Sequence, residues 1–95
     1  MGLEIVVARA GAVPLAPVLE RLAAAGVVAS VIMIDNALVP LNAPVPDGWR
    51  YVRLKTPAGT LSLKRRPDGV AVVTFGNADA ALQKMQTAVA DALRP

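Results

Sequence analysis

Residues 49–76 read WRYVRLKT-PAG-TLSLKRR-PDG-VAVVTFG, and this stretch decides the fold. Two Pro-x-Gly triplets punctuate three runs rich in Val, Leu, Thr and aromatic residues, the pattern of strands joined by tight turns. A three-stranded meander follows. In an extended run, alternate side chains point to opposite faces. Val52 and Leu54 therefore share a face, as do Leu61 and Leu63, and these faces must meet the rest of the core. The other face carries Tyr51, Arg53 and Lys55, then Thr60, Ser62, Lys64 and Arg66. Between Asp47 and Asp68 the chain holds six of its ten basic residues and no acid. Arg50 and Arg65 fall in register with the inward set, at strand ends where they can reach solvent.

Upstream, residues 3–8 (LEIVVA) form a short apolar run that predicts a buried strand. Gly11 and Pro14 interrupt it. Residues 14–25 then place Leu15, Val18, Leu19 and Leu22 at helical spacing, with Glu20 and Arg21 opposite. Pro14 and Pro17 sit where helix beginnings tolerate proline, and Gly26 suits a helix end. Residues 28–34 (VASVIMI) predict a second buried strand. The strand–helix–strand order suggests a right-handed parallel crossover. Asp35-Asn36 can turn the chain into residues 37–41, which Pro40 restricts to a sheet edge if they form a strand at all. Residues 36–48 hold Pro40, Pro44 and Pro46 and read as a long loop or a ragged edge strand. Downstream of the meander, Asn77 is a good helix cap and Asp79 falls in the first turn. Leu82, Met85, Val89 and Leu93 make the buried stripe of a closing helix. The expected fold class is α+β. It is a single-domain, two-layer sandwich ordered strand, helix, four strands, helix, with both helices on one face of a mixed or antiparallel sheet.

That order resembles one repeat of the TATA-box-binding-protein-like fold. EIVVARA stands for the first strand and PLAPVLERLAAAG for the first helix. VASVIMID, WRYVRLKT, TLSLKRR and VAVVTFG stand for the four-stranded meander, and NADAALQKMQTAVADAL for the closing helix. The resemblance spans nearly the whole chain as element order and apolar pattern. It implies a DNA-facing outer sheet surface and the pairing of two units into a saddle. Minor-groove readers of this kind use Asn and apolar wedges on the sheet. Here Asn36, Asn42 and Asn77 fall in loops or caps, and the sole Phe is Phe75.

Composition narrows the chemistry. The chain of 95 residues has no Cys and no His, which removes disulfides, thiolate nucleophiles, sulfur or imidazole metal sites and His acid–base catalysis. Its carboxylates are scattered, Ser30 and Ser62 have no His partner, and no phosphate-loop or dinucleotide motif is present. The sequence therefore argues against an enzyme, with no catalytic residues, no metal and no cofactor. The longest apolar run, residues 27–34, is far shorter than the roughly twenty residues a membrane helix needs. The N-terminus lacks the basic region of a secretory signal. No membrane partner and a cytoplasmic location are the expectations.

Apolar residues make up 55% of the chain but aromatics only 3%, so an Ala- and Val-rich surplus is left to cover. The leading expectation is a small binding or assembly protein that forms a homodimer, with Leu38, Val39, Leu41, Val45 and Trp49 as a docking arm. Those apolar side chains can instead pack over the sheet edge or core rim. The alternative function is nucleic-acid or polyanion binding through Tyr51, Arg53, Lys55, Lys64 and Arg66, where the cations attract phosphates and the ring stacks. The competing explanation for that face is ordinary solvation of a sheet. A third alternative is a small-ligand site beneath the Pro-rich loop near Trp49.

Overall fold

The computed structural model describes residues 4–9, 11–40, 43–74 and 79–94. The chain runs β1 (Glu4–Ala8), α1 (Leu15–Ala24), β2 (Ser30–Ile34), β3 (Ala37–Leu38), β4 (Tyr51–Thr56), β5 (Gly59–Arg66), β6 (Gly69–Thr74) and α2 (Ala80–Leu93). The meander forms as its turns dictate. Thr56 pairs with Gly59 around Pro57-Ala58, and Arg66 pairs with Gly69 around Pro67-Asp68. The Thr56 hydroxyl closes the first turn, donating to Gly59 O at 2.8 Å.

The six strands form one sheet in the order β1-β6-β5-β4-β2-β3, and every neighbouring pair is antiparallel. Two expectations change. Among the described residues five strands, not four, lie between the helices, because Asp35 and Asn36 adopt left-handed backbone (φ 48° and 68°) and fold the two-residue β3 back on β2. This is the turn geometry that joins antiparallel strands most tightly. The parallel crossover does not produce neighbouring strands. β1 and β2 run in the same direction, but β6, β5 and β4 stand between them. β6 takes the place beside β1, so α1 carries the chain across the whole sheet.

α1 begins after extended Pro14 and ends in a paired-carbonyl stop. Gly26, at φ 82°, donates to Ala23 O and Val27 to Leu22 O. α2 is capped by Asp79, whose carboxylate accepts from Leu82 N at 2.8 Å. The expected cap, Asn77, lies outside the described residues, and Asp79 occupies the capping position itself rather than the first turn. Two arginines finish the far end of α2: Arg9 donates to Leu93 O and Arg21 to Ala92 O. Cations on the last carbonyls of a helix offset its dipole.

One hydrophobic cluster joins the buried faces of both helices to the inward strand positions. Leu15, Val18 and Leu22 of α1 meet Leu82, Val89 and Leu93 of α2 and Val7, Val52, Leu54, Leu61, Leu63, Val70 and Val72 of the sheet. Gln86 also lies on the buried stripe of α2, where Nε2 donates to Val72 O at 2.9 Å. Met85, expected in that stripe, is half-buried and packs at the cluster's margin.

Candidate functional site

The outer face of the meander is built by register. Tyr51 stands opposite Lys64, Arg53 opposite Ser62 and Lys55 opposite Thr60, while Arg66 ends the β5 row. Pairs directly across a ladder share a face, so the structure brings Tyr51, Arg53, Lys55, Lys64 and Arg66 together on one surface. It also spends part of their charge internally. The Tyr51 hydroxyl and Ser62 Oγ share a hydrogen bond of 2.9 Å, and Arg53 Nη2 donates to the same phenol at 3.0 Å. The Arg53 guanidinium also lies 5.9 Å from the Tyr51 ring centroid. Burial alone would raise the Tyr51 pKa. The hydrogen bonds with Ser62 and Arg53, with the charges of Arg53 and Lys64, outweigh it and hold the phenol below its ordinary value.

Arg66 reaches past β6 to β1, where its guanidinium pairs with Glu4 at 2.7 Å. Both side chains are about two-fifths exposed, so this pair contributes little stability. Lys55 and Lys64 remain exposed, and neither makes a hydrogen bond or ion pair among the described residues. Ser62 and Ala71 also lie on the outer face, yet both are fully buried. The long side chains around them lie over the sheet.

The arm residues separate. Trp49 is 1% exposed and belongs to the core, with Nε1 donating to Val13 O at 2.8 Å. Val39 and Val45 are half-buried against the same cluster, while Leu38 is 79% exposed on β3. Leu41 lies outside the described residues. Val28 joins Leu38 as an exposed apolar side chain at that corner, and Val6 on β1 is the third such side chain among the described residues.

Val6 belongs to a feature that composition and pattern did not single out. Arg9 N bonds Asp68 O, continuing the β1–β6 ladder by one pair beyond Ala8 and Gly69. Bonded and non-bonded pairs alternate along an antiparallel ladder. Val7 and Ile5 therefore bond to β6, and the N–H and C=O groups of Glu4, Val6 and Ala8 point off the sheet. No described strand pairs with that side of β1. Proteins usually blunt such an edge with lysine, proline, a bulge or a very short strand. The opposite edge has the last three devices: two-residue β3, Pro40 and a register shift in β2 between Val31 and Met33. Described β1 has none of the four. The signal in the sequence was the absence of Lys and Pro from EIVVA, which becomes informative once β1 is known to be an edge.

Among the described residues no helix is long and apolar enough to cross a membrane, and no group of three metal-ligating side chains gathers. No family model, curated protein or solved structure matches the chain.

Proposed function

We propose that the protein is an assembly module, a two-layer unit that dimerises by pairing the outer edge of β1 with β1 of a second copy. The open edge of β1 is the observation that carries this reading. A two-fold axis at Val6 sets Val6 against its symmetry mate and Glu4 against the partner strand's Ala8 position. Each outward N–H and C=O then finds an acceptor or donor, and no like charges are opposed. Val6, 48% exposed in the isolated chain, is covered at the centre of the joint. The pairing of two units implied by the resemblance to the TATA-box-binding-protein-like fold supports the same reading.

Joining two sheets in this way makes one outer surface carrying Lys55 and Lys64 twice. Polyanion binding, the alternative function, is best placed there, on the assembled pair rather than on one chain.

The test is solution mass at micromolar concentration for the natural chain, Val6→Pro and Val6→Lys. Proline removes an N–H that no intramolecular bond uses, so the fold is preserved and the joint is lost. The natural chain is expected to run as a dimer and both variants as monomers of unchanged circular dichroism. A natural chain that is monomeric throughout this range refutes the proposal.

A further inference from the structure

The geometry points to a second site, independent of the β1 edge: a phosphate-binding cleft beside Trp49. The backbone bond from Arg65 N to Arg50 O, 2.8 Å, extends the β4–β5 ladder one pair beyond Tyr51 and Lys64. Arg50 and Arg65 therefore stand directly opposite each other on one face. Like charges in that relation destabilise a sheet, a cost that the Asp35 carboxylate near Arg50 reduces.

The pair opens into a cleft of about 540 Å3 whose lining includes Asp47, Trp49, Arg50, Arg65, Arg66 and Pro67. Its charged lining is thus three arginines and one aspartate. Arg66 is held by Glu4, and the Arg50 side chain makes no hydrogen bond or ion pair among the described residues, although its charge is felt by Asp35. Arg65 is pinned in place. Its guanidinium lies 5.4 Å from the Trp49 ring centroid and donates to Gly11 O at 2.6 Å, while its buried Nε finds no acceptor among the described residues.

A guanidinium held in place through one of its five N–H donors, opposite a second guanidinium, suits an oxyanion with several acceptor oxygens. Arginine forks recognise phosphate by paired hydrogen bonds. A phosphate dianion would turn the Arg50–Arg65 repulsion into two attractions. The cleft exceeds the volume of the bare ion, and Ala12 and Pro67 add apolar lining. The ligand class is accordingly a small molecule bearing a phosphate monoester, with inorganic phosphate sharing the same chemistry.

Trp49 is the only tryptophan and lies under the Arg65 guanidinium, so intrinsic indole fluorescence reads changes at this cleft. Sodium phosphate and phenyl phosphate are titrated against sodium chloride at matched ionic strength, with thermal unfolding measured in parallel. Both phosphates are expected to change the fluorescence saturably and to raise the melting temperature above that in chloride, and phenol alone is not. At least tenfold tighter binding of phenyl phosphate assigns the cleft to an ester. Equal binding assigns it to the free ion. Arg50→Gln, which leaves Arg65 and its contacts in place, is expected to unfold no earlier than the natural chain in chloride and to lose the phosphate response. Phosphate curves that superimpose on chloride curves would overturn the proposal, as would a full response in Arg50→Gln. Neither result bears on the dimer, whose joint lies on β1.

Discussion

Replacing Gly69 with alanine tests the closeness of β1 to β6, on which the assignment of the sheet edge depends. A Cβ at Gly69 would fall on the carbonyl oxygen of Val7, well inside contact distance, with Val7 C at 3.0 Å and Ala8 Cα at 3.2 Å. All three are backbone atoms of a strand bonded to β6, so no side chain can swing aside. Alanine brings one benefit: it lowers the entropy of the unfolded chain, worth about 0.5–1 kcal/mol where the native conformation tolerates it. Against this, β1 must retreat on the order of an ångström, and overpacking of this kind costs about 1–3 kcal/mol. The adjacent bond from Arg9 N to Asp68 O is strained as well, and such a bond contributes about 1 kcal/mol. The clash wins, and Gly69→Ala is expected to destabilise the fold by about 2 kcal/mol. Gly48→Ala is the control. Gly48 has no positive φ, and a methyl group there would meet no atom within 4 Å, so the change should be neutral or stabilising by up to about 1 kcal/mol. Urea unfolding followed by far-ultraviolet circular dichroism measures both. Equal midpoints for the two variants would mean that β1 does not approach β6 as described, and its outer side could not then be assigned as the sheet edge.

Two further outcomes are expected. Trp49→Phe removes the donor to Val13 O and leaves that buried carbonyl unsatisfied, a loss of about 1–3 kcal/mol that an unchanged urea midpoint would contradict. Asp35 has a lowered pKa, because its carboxylate accepts the backbone N–H of Arg50 and then that of Tyr51; slight desolvation opposes this and the Arg50 charge adds to it. A depressed folded-state pKa stabilises above the ordinary carboxylate value, near pH 4, and that stabilisation is lost as pH falls through the lower folded value. Melting temperature should therefore fall less steeply on acidification in Asp35→Asn than in the natural chain, and parallel profiles would show that the two N–H bonds are not made.

The meander, both helices and the division of its side chains between two faces follow from local rules. Pro-x-Gly turns, period-two alternation and the spacing of Leu15, Val18 and Leu22 act over a few residues, so the chain displays them directly. The basic outer row of Tyr51, Arg53, Lys55, Lys64 and Arg66 has the same origin. Even Gln86 was readable in principle, since positions 82, 86, 89 and 93 share a helical face whatever residue stands there.

What the row does depended on partners distant in sequence. Glu4 takes Arg66 across 62 positions, and Ser62 holds Tyr51 only because β4 and β5 pair in one register. The docking arm failed to stay together for a similar reason. Val39, Val45 and Trp49 look alike in sequence to Leu38, but only the packed sheet decides which of them finds core to cover it. The same holds for β1: its composition reads as a buried strand, and its role as an open edge exists only because β6, not β2, pairs beside it. Propensity and pattern are local energies, whereas neighbour choice in a sheet is settled by global packing, and the β1 edge lies where that choice was made.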